Sequence, residues 1–232
     1  PREESELYNE QLSTQYTEYD PDKANELLDT ILPEKDAEGF RLQPDGKRLQ
    51  IILAVDNAGG ARLDAMQLVA KYWNAVGVQT EVRVQERAFF YDEKAANLHD
   101  ANTYSAPGGM GIDVILQPRF FFPFDGESNF AIAWVNWWAG DPTLGEEPPE
   151  PAKRQIELYK QIRATGDPAT QNALMAELLQ IAADQFWCIG ISTPPDSYLV
   201  AKNNLRNIME NMPGSWAYPN PNPAEPYTWF YE

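Results

Sequence analysis

The sequence predicts an α/β fold, with helices flanking a sheet. Three observations carry this. From residue 49 onward, stretches of strand period and helix period alternate along the chain. Val78, Thr80, Val82 and Val84 alternate with Gln79, Glu81, Arg83 and Gln85, the pattern of a half-buried strand. Helix starts are marked by Asp-Pro pairs and helix ends by glycine.

The elements follow in order. Asp20-Pro21 supplies an N-cap and a first helical residue; Ala24, Leu27, Leu28 and Ile31 follow at helical spacing, and Pro33 stops the helix. Residues 39–55 predict a strand, a turn at Pro44-Asp45-Gly46, and a second strand over 49–55. After Gly59-Gly60 a helix carries Met66, Val69, Trp73 and Val76 on one face and ends at Gly77. The alternating strand at 78–84 comes next, then a helix over 88–99. This strand-helix-strand-helix order makes a parallel, right-handed crossover the default connection.

Residues 102–151 are rich in glycine, proline and aromatic residues, with a short strand candidate at 112–116. Two helices follow. Gln155, Ile156, Tyr159 and Ile162 mark the first, closed by Gly166; Asp167-Pro168 opens the second, which shows Leu174, Leu178, Ile181 and Ala182. The segments FWCIGIS and SYLVAK predict strands on either side of Pro194-Pro195. Residues 213–232 mix five prolines with six aromatic residues and predict an irregular tail.

Composition narrows the function classes. The 232 residues, 43% hydrophobic and 23% charged, are those of an ordinary globular chain. A net charge of −17 repels phosphate backbones, so nucleic acid is excluded as a partner. No apolar run approaches a membrane span. His99 is the only histidine and Cys188 the only cysteine, too few ligands for a zinc or haem site, and no cofactor is expected. Any serine or cysteine triad would have to use His99, on a polar helix end. The glycine-rich PGGMG at 107–111 lacks the Gly-Lys-Ser/Thr of a phosphate loop and predicts a tight turn.

The informative stretch is QPRFFFPFDGESNFAIAWVNWWAGDP, an irregular aromatic segment of the kind that carries binding sites. Trp134 and Trp138 are four apart, so a helical turn puts both on one face. A strand does so too, with Trp137 opposite. Each ring singly fits core packing; the cluster as a whole points to at least one ring on a ligand. Tyr104, Trp134, Trp137 and Trp138 are the candidate contact wall, with Arg119 and Asp141 as polar anchors.

The motifs YDPDKANELLDTIL, PDGKRLQIILAV, YWNAVGVQTEVRVQE and FFYDEKAANLHDANTY, in that order, resemble the carboxy-terminal lobe of family 5 solute-binding proteins. These are the oligopeptide and dipeptide receptors of ABC importers, with relatives that bind oligosaccharides or nickel. Asp20-Pro21-Asp22-Lys23-Ala24 and Gly77-Val78 match the family pattern directly, and the likeness covers most of residues 19–205.

The resemblance implies one lobe of a type II periplasmic-binding-protein fold, a mixed sheet flanked by helices. Residues 1–232 would form a single domain whose tail, 203–232, returns towards an amino-terminal lobe; that lobe and a signal peptide would lie outside this sequence. It further implies an extracytoplasmic, non-enzymatic protein that hands its solute to a permease. Peptide-binding members carry a Gly-Trp-x-x-Asp segment after the second helix, whose Asp pairs with the peptide's amino group. Here that place reads Asp100 to Gly108, with Tyr104 for the Trp and no following Asp; Trp138-Ala139-Gly140-Asp141 looks like the motif but comes too late. A neutral, stackable oligosaccharide therefore fits ahead of an oligopeptide. An aromatic-lined glycosidase and a plain interaction domain are the competing classes.

Overall fold

The computed structural model describes residues 1–58, 60–105, 109, 111–141, 143–192, 198–211 and 224–232. Gly59, most of the expected turn at 107–111, Pro194-Pro195 and the start of the tail lie outside the described residues. The chain runs α1 (Glu10–Thr14), α2 (Pro21–Ile31), β1 (Gln50–Asp56), α3 (Ala61–Ala75), β2 (Gln79–Gln85), α4 (Arg87–Ala95) and β3 (Ala101–Asn102). It continues through α5 (Asp113–Leu116), α6 (Ile132–Trp138), α7 (Glu150–Ala164), α8 (Pro168–Gln185), β4 (Leu205–Arg206) and β5 (Phe230–Tyr231). Contacts divide it into two compact units: Pro1–Gln15, Ser105–Phe124 and Pro148–Glu232 make one, Tyr16–Tyr104 and Asp125–Glu147 the other.

The second unit holds a three-stranded parallel sheet in the order β2-β1-β3. Gln50 pairs with Gln79 and Asp56 with Gln85; on the other side Leu53 pairs with Ala101 and Ala54 with Asn102. Leu53, Val55 and Met66 form its core, with Val69, Val82 and Ala101 against them. The caps are as the sequence dictates: Asp20 Oδ1 accepts from the Lys23 amide at 2.8 Å, and Gly77 turns the chain out of α3 at φ 89°. The strand expected before Pro44 is reduced to isolated bridges, Lys35 with Arg41 and Leu42 with Arg48. Arg41 explains the arrangement. Its fully buried guanidinium donates to Val76 O, Leu32 O, Asp29 Oδ1 and Asn25 Oδ1 at 2.7–3.0 Å, stapling α2 and the turn after α3 to this segment.

In the first unit α7 packs on α8 through Leu158, Ile162, Met175, Leu178 and Leu179, all at most 1% exposed. Buried Gln155 Nε2 donates to the Leu178 carbonyl at 3.0 Å, linking the two helices. Phe122 and Phe124 each lie 5.3 Å from the Tyr159 ring, tying the segment after α5 to α7.

Three sequence expectations are corrected here. Residues 113–116 form a helical turn, α5, whose hydrogen bonds close within the segment itself, Leu116 N donating to Ile112 O at 2.9 Å and Gln117 N to Asp113 O at 2.8 Å. Residues 186–192 and 198–202 carry no strand; Phe186 ends α8 in the left-handed region at φ 50°, and apolar runs become strands only where an edge offers hydrogen bonds. The tail is regular at its end, where Leu205 pairs with Tyr231 and Arg206 with Phe230 in an antiparallel ladder. The sheet itself is parallel throughout, and the antiparallel component of the expected mixed sheet is this separate pair.

Candidate functional site

The strand order creates the site. From β1 the chain goes through α3 to β2 on one side, then through α4 back past β1 to β3 on the other. Connections that diverge in this way open a crevice at the carboxyl ends of the strands, between β1 and β3. Asp56 closes β1, and two residues beyond the Ala54–Asn102 pair the register brings Tyr104 level with it.

A tyrosine and cation cluster fills this edge. The hydroxyls of Tyr91, on α4, and Tyr104 are hydrogen-bonded to each other, with ring centres 6.1 Å apart in an edge-on packing. Arg62, in the first turn of α3, lies 5.9 Å from the Tyr104 ring centre and donates to Asp56 Oδ2 at 2.9 Å. Lys94 Nζ lies 5.0 Å from the Tyr91 ring and 5.8 Å from that of Tyr104, and Arg87 lies 5.7 Å from Tyr91. All are within cation–π range. Burial pushes the Tyr91 phenol up, but the bond with Tyr104 and the charges of Arg87 and Lys94 outweigh it and hold the group below the usual tyrosine value. For Tyr104, burial and the bond to Tyr91 act together and raise it.

The tryptophans take the helical alternative. In α6, Ile132 and Val135 are buried. At about 100° per residue, Trp134, Trp137 and Trp138 share an arc of about 100° away from Ile132, so Trp137 lies beside the other two. Trp137 is 40% exposed, and the buried Trp138 indole N–H has no acceptor among the described residues. Ala131, in the left-handed region at φ 51°, starts the helix without a side-chain cap. The following loop folds back on it: Gly145 N donates to Asp141 O at 3.2 Å and Glu146 N to Ala133 O at 2.9 Å.

The expected site residues are thus distributed. Tyr104 belongs to the carboxyl-edge cluster and the three tryptophans to α6. Asp141 accepts from the Thr143 and Leu144 amides at 2.8 and 3.0 Å, and these bonds hold its carboxyl below the usual range. Arg119 lies in the other unit, in the turn Pro118–Phe120, where it donates to Gln117 Oε1 at 2.7 Å. Sequence reasoning missed Asp56, Arg62, Arg87, Tyr91 and Lys94. The one signal was positional: Asp56 ends a strand, and Arg62 opens the next helix. No cluster of three or more His, Cys, Asp or Glu among the described residues could hold a metal. Burial pushes the Cys188 thiol up to about 11. No described helix is long and apolar enough to cross a membrane.

The profile of the bacterial extracellular solute-binding proteins, family 5 Middle, matches residues 2–143, which include the sheet, the tyrosine pair and α6. The chain belongs to this family. Among solved structures it is similar to the oligopeptide-binding protein OppA, with 32% identity and a TM-score of 0.71 over 98% of this chain and 38% of that one. It therefore spans well under half the length of that relative. The periplasmic binding protein MelB from Agrobacterium fabrum C58, in complex with stachyose, matches at 15% identity and TM-score 0.63 over 78% of this chain and 27% of its own. A mannohexaose-bound periplasmic oligopeptide-binding protein of an ABC transporter from Thermotoga maritima matches at 18% identity and TM-score 0.57 over 78% and 32%. These last two share the fold. No curated protein gives a significant match.

Proposed function

We propose that the chain is the carboxy-terminal, solute-binding lobe of a two-lobed extracytoplasmic receptor serving an ABC importer, and that its solute is an oligopeptide. The carrying observation is the cluster at the β1/β3 crevice. Asp56 partners Arg62 and Glu127 approaches Lys94 at 4.0 Å, whereas exposed Arg87 has a phenol, Tyr91, as its neighbour. In a chain of net charge −17, such a cationic edge suits a ligand that brings its own carboxylate, and this weights the reading from sugar towards peptide. The likeness to OppA supports the same choice. The function is binding and closure, with the solute released unchanged to a permease.

An oligosaccharide is the second reading, favoured by the exposed Trp137 ring beside Trp134 and Trp138, since sugars present apolar C–H faces to indoles. The sugar-bound relatives support it.

Calorimetric titration of the full-length receptor separates the readings. Short peptides with a free carboxyl terminus should bind, the same peptides amidated should bind more weakly, and Arg87→Gln should erase that difference. Equal binding of both peptide forms with tight binding of a neutral oligosaccharide would select the second reading. Turnover of either ligand would replace both with an enzyme.

A further inference from the structure

Lys94 is 3% exposed, although α4 could have turned it to solvent. It sits one turn beyond Tyr91, so the two side chains share a helix face. Its ammonium meets both tyrosine rings and donates to the Glu127 carbonyl at 2.9 Å. The residues after Glu127 are held from the same side: Ser128 is fully buried, and Asn102 Nδ2, from β3, donates to the Asn129 carbonyl at 2.7 Å. Two residues later Ala131 turns the chain into α6. One buried ammonium thus touches the tyrosine pair and fixes the segment that delivers the tryptophans.

We propose that Lys94 is a positioning residue that couples the Tyr91–Tyr104 pair to the tryptophan helix, so that both aromatic surfaces respond as one to whatever occupies the crevice. The inference takes from the proposed function only that this edge meets a solute. The contacts themselves need no solute. Burial of the ammonium is compensated by a carbonyl, a nearby carboxylate and two ring faces, a set that restricts it to one position.

The test uses the chain without ligand, so it stands or falls separately from the solute assignment. Phenolate absorbance is followed as pH rises, and acrylamide quenching of tryptophan is measured at neutral pH. The groups facing the pair are Arg62, Arg87 and Lys94, with Asp56 behind Arg62; Tyr91→Phe identifies the Tyr91 transition. Lys94→Met should move that transition upward by about 1 pH unit and raise tryptophan quenching, and Lys94→Arg should restore both towards the wild-type values. Where Lys94→Met fails to fold by circular dichroism, Tyr91→Leu probes the same link from the other end and should raise quenching in a folded chain. A shifted phenolate transition with unchanged quenching overturns the coupling. So does raised quenching with an unshifted transition, or failure of arginine to restore either.

Discussion

Arg62 and Asp56 are joined by a 2.9 Å ion pair that bridges the turn from β1 to α3, with the carboxylate only 4% exposed. Asp56 Oδ1 also accepts from the Ala58 amide at 2.9 Å, so one carboxylate both shapes the turn and aims the guanidinium at Tyr104. Asp56→Ala should cost about 3–5 kcal/mol of stability, because it strands a partly buried charge and an amide. Arg62→Met should also destabilise, because it leaves the 4% exposed Asp56 carboxylate without its guanidinium. A double-variant cycle in denaturant measures the coupling, and strictly additive losses would show that the pair does not act as one.

Trp137→Ala should leave the melting temperature near wild type, because the indole is exposed, yet weaken solute binding by about 1–3 kcal/mol if the ring stacks on the ligand. Trp138→Ala should act first on the fold, by about 3 kcal/mol, through the space left around a buried indole nitrogen. Melting temperature and affinity, measured on both variants, separate the roles. A wild-type affinity for a folded Trp137→Ala protein would remove it from the binding surface.

Gly145→Ala should destabilise the loop after α6. A Cβ there would sit 2.4 Å from the Asp141 carbonyl oxygen and 2.7 Å from the Trp137 Cα, both backbone atoms of a folded-back turn. The expected loss is about 1–3 kcal/mol, the usual range for overpacking. Gly126→Ala, where nothing lies within 4 Å, is the control and should be neutral or slightly stabilising. Denaturant midpoints for the two variants give the comparison.

Stability should fall as pH drops below the ordinary histidine value of about 6.5. Burial is the main cause holding His99 below that value, and repulsion from Lys94 acts the same way, while a hydrogen bond to the Asn129 backbone and the charges of Asp100 and Glu93 oppose it; its buried Nδ1 lacks a partner among the described residues. With the folded value depressed, the unfolded chain takes up the proton first, so stability is full above 6.5 and is lost as pH falls towards the folded value. His99→Gln should flatten the melting temperature between pH 6.5 and the onset of carboxylate titration. An unchanged slope would assign the effect elsewhere.

Local chemistry made much of the fold legible in advance. Asp20 and Asp167 were readable as caps because the bond each makes, to Lys23 N and Thr170 N, lies three residues away on the same chain. The alternation of 79–85 and the helical spacing of 61–75 are likewise properties of one segment, and together they specify a parallel β-α-β unit. The aromatic segment stands out by composition, but its period admits both helix and strand. Only folding closed α6 and brought Trp137 beside Trp134 and Trp138.

The elements with short-range signals are set along the chain: caps, periods and the order in which they alternate. Tertiary structure decided everything that depends on which edge or face is free. Ala101–Asn102 became the third strand by pairing with β1, while residues 113–116 closed into a helical turn and residues 186–192 carry no strand. Lys94, an unremarkable lysine in the sequence, became a buried contact of two tyrosines because Tyr104, two residues past β3, and the Glu127 carbonyl come to meet it. The physical reason is the same in each case: a hydrogen-bonding edge or a buried charge is fixed by partners distant in sequence, and no local period encodes them.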